Sequence, residues 1–349
     1  MKCHESELID SILSALRGYL LDVPFPCVLK DADSAELESD WAGKIRLANG
    51  ERQLLLEARP SGQPRLAREA ANQLHRWAEK YPDAVRIFGA PYISPQAADL
   101  LTRDGVGYVD LAGNCRLAFD QVYIRREGWP NPAVRRRELR SLYSPKAECI
   151  LRVMLAEPHH KWKIESLAQA ADVSLGQASN VKKLLEDREW LRREPEGLAL
   201  VDPKSVLAEW AQEYRFDRNT VHDFFSLDPL PQIEGKLADV CRQSGTRYAL
   251  TGFSAAARLA PMVRYQRATA YVIGDIAGVA QRAGFKPVTS GANVSLIEPY
   301  DAGALAGGRE IDGIHLAAPV QVYLDLLSFR GRGEEAAQAV LDEVIRPTW

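Results

Sequence analysis

Two carboxylates and an arginine stand at the ends of two predicted strands near the start of the chain. Asp40 directly precedes the strand WAGKIRL, and Glu57 and Arg59 end the next strand, in LLLEAR. Two carboxylates in this arrangement can hold a divalent cation, and a lysine at the last position would orient the water for metal-assisted hydrolysis. Arginine stays protonated and cannot take over that role. The spacing therefore indicates a hydrolytic site without its lysine, and we predict no catalytic residue.

The elements that position these residues belong to a mixed α/β domain, which we expect at residues 1–129. Strand and helix patterns alternate there, and Asn49-Gly50 favours a tight hairpin between the two strands. The domain resembles a degenerate restriction-endonuclease-like fold, so a metal-dependent nuclease that uses Asp40 and Glu57 is an alternative function. The turn that carries Asp110 and Asn114, in GYVDLAGNCRL, is more typical of a structural hairpin than of a site.

A second set of polar residues lies on a short predicted helix in the middle of the chain, in DVSLGQASNVKKLL. Apolar residues recur at helical spacing and predict an inward face made of Ala178, Val181, Leu184 and Leu185. The other face suits DNA, because Gln and Asn match the donor and acceptor of adenine and Lys binds phosphate or guanine. The residues that we expect to approach DNA are Ser174, Gln177, Ser179, Asn180, Lys182 and Lys183. The ordinary alternative is a solvated helix face in a domain that packs against protein.

The order of elements within residues 144–204 is helix, helix, turn, helix and hairpin. That order predicts a winged helix-turn-helix, whose recognition helix enters the major groove of DNA. Arg192 and Arg193 lie in the hairpin, where a wing would hold the flanking phosphates. The segment before it, residues 130–143, is a predicted basic linker. Its candidate contacts to the DNA backbone, which a solvated linker would explain equally well, are Arg135, Arg136 and Arg137.

Residues 205–349 form a second predicted α/β domain, with a strand, a glycine turn and a helix start in RYALTGFSAAARLAP. Such a turn can cradle phosphate, and nucleotidyltransferases combine it with a D-x-D carboxylate pair on the following strand. The following strand, RATAYVIGD, has only Asp275 at its end. We therefore expect a degenerate nucleotidyltransferase-like domain that contacts a partner. The whole chain is predicted to be an α/β (α+β) multidomain protein, with a winged helix between two α/β domains, and not an enzyme.

The composition is that of an ordinary globular protein, with 46% hydrophobic and 26% charged residues. The net charge of −3 is uneven, because residues 1–129 and 205–349 each carry −3 and residues 130–204 carry +3. The five cysteines form no CxxC and the six histidines no HxxxH, so we predict neither a metal nor a cofactor. No apolar run approaches the roughly 18–20 residues of a membrane span, and the start lacks the plan of a secretory signal. We expect a cytoplasmic protein.

The middle and last parts of the chain together resemble the AbiEi family, the antitoxin-like transcriptional regulators of bacterial type IV toxin–antitoxin systems. The resemblance covers about residues 143–349 and is carried by SPKAECILRVMLAEP, VSLGQASNVKKLLEDREWL, RYALTGFSAAARLAP, SGANVSLIEPYD and PVQVYLDLLSFRGRGEEA. It implies a bacterial, nucleoid-associated protein whose winged helix binds promoter repeats and whose C-terminal domain contacts a partner. Family members commonly begin with the winged helix. The additional domain in front of it here suggests another task, such as regulation in a plasmid, in phage defence or in virulence.

From these patterns we predict a sequence-specific double-stranded DNA-binding protein that acts as a transcriptional regulator. Its expected partner is promoter or operator DNA. A cognate toxin and a second copy of the chain, as a homodimer, are further candidate partners, and a membrane is not. Two alternatives stay open, namely the nuclease described above and an interaction protein that neutralises a toxin or helps to maintain a plasmid.

Overall fold

The computed structural model describes residues 2–24, 28–31, 40–47, 50–131, 142–262 and 264–349. These residues form an α+β protein with two seven-stranded sheets and one two-stranded hairpin, which confirms the predicted fold class. Three predicted DNA contacts lie outside the described residues, namely Arg135, Arg136 and Arg137. The chain divides into two compact units, Met1–Glu138 with Glu186–Glu189, and Leu139–Leu185 with Trp190–Trp349. The predicted domain boundaries at 129, 143 and 204 stay predictions.

The first unit contains one large mixed sheet and three helices among its described residues. In chain order these elements are α1 (Lys2–Leu21), β1 (Val28–Asp31), β2 (Trp41–Leu47), β3 (Gly50–Ala58), α2 (Pro64–Ala78), β4 (Val85–Ala90), α3 (Pro95–Arg103), β5 (Gly107–Asp110), β6 (Cys115–Phe119) and β7 (Val122–Arg126). The strands lie side by side in sequence order. Strand β4 pairs parallel with β3 and with β5, and the other neighbouring strands pair antiparallel.

The central strands of this sheet are apolar on both faces because helices cover both. Leu54 and Leu56 of β3 belong to the same apolar cluster as Ile12 of α1. Leu55, which lies between them, belongs to the cluster that contains residues of α2 and α3. This follows from the alternation of side chains along a strand. A Cβ on Gly89 would lie 2.7 Å from the Ile12 side chain, so α1 approaches the sheet where a side chain is missing. The buried sheet fixes the ends of β2 and β3, where the predicted carboxylates stand.

The second unit begins with three helices and a hairpin and continues into a second mixed sheet. Its elements are α4 (Pro145–Ala156), α5 (Ile164–Ala170), α6 (Leu175–Asp187), β8 (Leu191–Glu194), β9 (Gly197–Leu200), α7 (Pro203–Glu213), β10 (Thr220–Phe225), α8 (Leu230–Ser244), β11 (Arg247–Leu250), α9 (Gly252–Leu259), β12 (Ala268–Ile273), α10 (Ile276–Ala283), β13 (Lys286–Pro287), β14 (Val294–Glu298), β15 (Arg309–Ile311), β16 (Ile314–Leu316), α11 (Pro319–Leu327) and α12 (Gly333–Val340). The strands of the large sheet lie in the order β13-β10-β14-β12-β11-β16-β15. The hairpin is β8-β9.

One apolar core runs through the whole second unit. It contains Trp190 before the hairpin, Trp210 in α7 and Tyr271 in β12, which are among the largest fully buried side chains. The element order predicted for residues 144–204 is therefore present, and these elements share their core with the large sheet. This packing fixes α4, α5 and α6 and leaves the outer face of α6 in solvent.

Candidate nucleic-acid interface

Helix α6 turns its apolar side chains into the core and begins at a capped end. Ala178, Val181 and Leu185 are at most 1% exposed. The Gln177 backbone N–H donates to Ser174 Oγ at 3.2 Å, so Ser174 acts as the N-cap and satisfies one of the unpaired donors of the first turn. The Ser174 hydroxyl therefore has a structural role, which its position directly before the helix could have indicated.

The outer face of α6 carries most of the residues predicted to approach DNA. Ser179, Asn180 and Lys183 are exposed, and Gln177 and Lys182 are half-buried. Positions three and four apart share one side of a helix, so Ser179, Asn180 and Lys183 form one continuous surface. A Cβ at Gly176, one turn earlier on that side, would meet no atom within 4 Å. The surface is open along its length, as a helix that enters a groove requires.

Leu175 in the first turn of α6 was missed from the sequence as a surface residue. Its side chain is 49% exposed although it is apolar. A recognition helix leads with its N-terminal residues, and an apolar side chain there can contact the methyl group of thymine. The apolar pattern alone assigns a leucine to the core, so only the structure distinguishes it.

The hairpin that follows α6 is anchored by a backbone pairing with Trp162. The Trp162 N–H donates to the Leu198 carbonyl at 3.0 Å, and the Leu198 N–H donates back at 2.8 Å. Gly197 has a φ of +153°, and a Cβ there would lie 2.8 Å from the Trp162 carbonyl oxygen. Glycine is thus required where the hairpin turns against the chain.

The two predicted arginines of the hairpin lie on opposite faces of it. Arg192 pairs with Ala199 and Arg193 with Leu198, and consecutive side chains alternate across a strand. Both are exposed. Arg192 shares its face with Glu194, whose carboxylate lies 3.7 Å from the guanidinium. Arg193 shares its face with the buried residues Leu191 and Leu198. The two arginines therefore cannot serve one phosphate surface in the same way.

Helix α4 is fixed to helices α7 and α11 by a buried arginine that was not predicted to be a functional residue. The Arg152 side chain is 2% exposed, its Nε donates to Gln321 Oε1 at 2.9 Å, and its guanidinium stands over the Trp210 ring at 5.3 Å. Its Nη2 lies 3.6 Å from Glu148, which is 1% exposed and whose pKa is raised by burial. The available signal was a charged residue inside the otherwise apolar run CILRVML.

The buried hydrogen bonds that begin at Arg152 continue from Gln321 to the start of α9. Gln321 Nε2 donates to Tyr214 at 2.9 Å and to Asp325 at 2.8 Å. The fully buried Asp325 also accepts hydrogen bonds from Tyr214 at 2.6 Å, from Tyr271 at 2.9 Å and from Thr251. Burial raises the pKa of Asp325. Thr251 belongs to the predicted phosphate-binding turn, and its hydroxyl is engaged inside the protein.

The single carboxylate after the following strand has a local structural role. Asp275 Oδ1 accepts the Gly278 N–H at 2.9 Å and thereby caps helix α10. Ser254, in the same turn as Thr251, accepts the Thr269 N–H at 2.9 Å. The turn and the carboxylate are thus both engaged within the protein, since Ser254 joins α9 to β12 and Asp275 caps α10.

The carboxylates of the first unit do come together, but an arginine lies between them. Arg59 Nη1 is 2.9 Å from Asp40 Oδ2, and its Nη2 pairs with Glu57. Asp40 Oδ2 also accepts the Ala58 N–H at 2.9 Å. The Glu57 side chain is 1% exposed, and burial, together with the neighbouring Asp40, raises its pKa to about 7 against the attraction of Arg59. A fixed guanidinium therefore stands where a catalytic site would hold a metal and a lysine.

The turn around Asp110 is a structural hub, as its sequence suggested. The Asp110 carboxylate accepts backbone N–H groups of four residues, at 2.8 to 3.1 Å, and the Asn114 amide at 2.8 Å. Asn114 in turn binds both backbone groups of Trp129.

Among the described residues, no group of three or more His, Cys, Asp and Glu is placed to hold a metal ion. In the same part of the chain no helix is long and apolar enough to cross a membrane.

The last part of the chain is similar to a known protein family. Residues 199–346 match the family model described as "Transcriptional regulator, AbiEi antitoxin, Type IV TA system", which confirms the predicted resemblance over these residues. The matched range begins inside β9 and does not include α6. No curated protein matches the chain.

Two solved structures show a partial likeness, and their titles are "Structure of EndoMS-dsDNA2 complex" and "Structure of EndoMS in apo form". They are 17% and 20% identical to this chain, cover 29% of it, and have TM-scores of 0.22 and 0.21. This chain spans 44% and 42% of theirs. Likenesses this low carry no argument about fold or function.

Proposed function

We propose, from the match of residues 199–346 to an antitoxin-type transcriptional regulator family, that this chain is a sequence-specific double-stranded DNA-binding protein. The observation that carries the proposal is the outer face of α6, where Ser179, Asn180 and Lys183 are exposed along a capped helix. Side-chain amides and ammonium groups at helical spacing are the groups that read bases and hold phosphates in the major groove. Such a regulator acts on promoter or operator DNA at the bacterial nucleoid.

The hairpin supports DNA binding through one of its arginines more than the other. Arg192 faces outward on the hairpin, and its neighbour Glu194 leaves it 69% exposed. Replacing it with alanine should weaken binding to every DNA sequence and reduce the salt dependence by about one phosphate contact. Arg330→Ala, at an exposed site of the second unit, is the matched control. Equal affinity and equal salt slope in wild type and Arg192→Ala would count against the hairpin as a phosphate contact.

We further propose that the chain is not an enzyme. Arg59 occupies the space between Asp40 and Glu57, and because it stays protonated it cannot replace a lysine that orients and deprotonates the attacking water. Incubation of wild type with supercoiled plasmid and Mg²⁺ or Mn²⁺ should leave the plasmid intact. Cleavage by wild type that disappears in both Asp40→Ala and Glu57→Ala would establish the alternative, a metal-dependent nuclease.

The family match also favours a second candidate function, the neutralisation of a toxin. The matched family is described as an antitoxin, and the match lies in the sheet domain rather than on α6. We therefore propose a cognate toxin as partner of residues 205–349, in place of or beside DNA, and a homodimer as the DNA-binding form. Co-expression with the neighbouring open reading frame tests the toxin: growth rescue by the chain supports it, and toxicity that persists opposes it.

A further inference from the structure

A cavity of about 470 Å³ lies at one end of strand β11 in the second unit. Its lining includes Arg242, Arg247, Tyr248, His315, Gly307 and Gly308. The turn at Thr251, which was predicted to cradle phosphate, follows the opposite end of the same strand. The cavity is therefore a separate place, which neither the DNA interface nor the degenerate transferase turn uses.

The cavity exists because two neighbouring strands part. Strand β11 pairs with β16 at the single position Leu250–Leu316, while it pairs with β12 along its whole length. The Leu250 carbonyl accepts the Ala317 N–H on the β16 side. Backbone groups two residues apart in a strand point to the same side, so the N–H and carbonyl of Tyr248 face the cavity. Peptide groups and side chains thus line the same space.

The charged groups of the lining are all cationic or can become so. The Arg247 side chain is exposed and makes no hydrogen bond or ion pair within the part of the chain that the structure describes. Arg242 is held in place by Asp239 at 2.9 Å and by the Gly313 carbonyl at 3.0 Å. His315 lies 3.5 Å from Glu310, and neither Glu310 nor Asp239 lines the cavity.

We propose that this cavity binds a small molecule that carries a phosphate group, of about the size of a mononucleotide. Its volume falls within the roughly 300–1,000 Å³ of small-molecule sites, and Leu305, Ala249 and Leu316 supply the apolar wall that such sites have. Guanidinium groups recognise phosphate through paired, charge-assisted hydrogen bonds. One guanidinium that is already positioned and one that has no other partner are the donors that a phosphate needs.

Calorimetric titration of the full chain with AMP, adenosine and inorganic phosphate tests the proposal. AMP should bind, inorganic phosphate should compete with it, and adenosine should bind at least about tenfold more weakly, because the charged hydrogen bonds go to the phosphate. Arg247→Ala and Arg242→Ala should each weaken AMP binding about tenfold or more. Arg330→Ala, a remote exposed arginine, should leave it unchanged. Both lining arginines are exposed, and equal thermal midpoints of the variants verify that they fold.

Three results would overturn the proposal. They are no binding of AMP or phosphate up to millimolar concentration, binding that both arginine variants retain, and adenosine binding as tight as that of AMP. Competition of a DNA duplex with AMP would assign the site to the phosphates of DNA and would also overturn it. The DNA-binding proposal stands or falls separately, because its variants lie on α6 and in the hairpin.

Discussion

The buried carboxylate of Glu57 should make the stability of the first unit fall as the pH rises from about 4.5 to about 7. Its pKa is 4.5 when unperturbed and about 7 in the folded protein. Over that range the folded state keeps a proton that the unfolded state has released. Stability from this group is thus fully present below 4.5 and is lost as the pH rises through 7. At about 1.4 kcal/mol for each pKa unit, the loss is about 3 kcal/mol.

Glu57→Gln removes the titration and keeps the size of the side chain. Urea unfolding of wild type and variant, followed from pH 5 to pH 8, gives the difference in the free energy of unfolding at each pH. From pH 5 to pH 8, the free energy of unfolding of the glutamine variant should rise relative to that of the wild type by up to about 3 kcal/mol. Glu79→Gln, an exposed carboxylate in the same unit, should show no such trend. Parallel pH profiles for wild type and Glu57→Gln would refute the reasoning.

Three further substitutions follow from buried contacts and can be measured by urea unfolding. Arg152→Ala should cost about 2–5 kcal/mol, because it leaves a cavity and removes one of the two arginines beside the buried Glu148, and a loss under 1 kcal/mol would contradict this. Asp110→Ala should cost about 3 kcal/mol or more, because five donors lose their acceptor, and near-native stability would argue against the hub. Gly197→Ala should destabilise the hairpin by about 1–3 kcal/mol, whereas the same change at the open site Gly176 should be neutral or stabilising.

The sequence predicted well those elements whose signals are local. Helix α6 and the hairpin β8-β9 follow from apolar residues at helical spacing and from the turn at Pro195-Glu196-Gly197, and both are present. The sequence also predicted that Asp40 and Glu57 lie close to Arg59, because antiparallel pairing brings the start of one strand next to the end of the following strand. In each case the spacing along the chain decides the geometry.

Elements that depend on distant partners were missed. Strand β10 reads TVHDFF, which contains strand-favouring residues but lacks the alternation of apolar and polar residues that marks a half-buried strand. Helix α8 carries Glu234, which is 0% exposed, and its pairing with Arg258 at 2.7 Å and a hydrogen bond from Tyr265 at 3.0 Å make that burial tolerable. The same holds for Arg152, whose partner Gln321 lies 169 residues away in the chain. A single sequence does not reveal such pairs.

The candidate interface was predicted as a set of residue types, and the structure divides that set by role. Ser174 is an N-cap, Arg192 and Arg193 face opposite ways, and Leu175 joins the exposed surface. The N-cap preference of serine and the alternation of consecutive side chains along a strand are local signals, and they could have assigned Ser174, Arg192 and Arg193 from the sequence. The exposure of Leu175 depends on the packing of the whole unit. Gln177 and Asn180 are the residues that we propose to read bases.

The sequence preference of the full chain and of its Gln177→Ala/Asn180→Ala variant tests the central claim most directly. A duplex selected by the wild type from a random library, and a shuffled duplex, give the ratio of the two dissociation constants at one salt concentration. The ratio should fall at least about tenfold in the variant, because each amide–adenine pair discriminates by about 1–3 kcal/mol. Gln169→Ala, an exposed glutamine on α5, should leave it unchanged. An equal ratio in wild type and in the double variant would contradict the assignment of α6 as the helix that reads DNA.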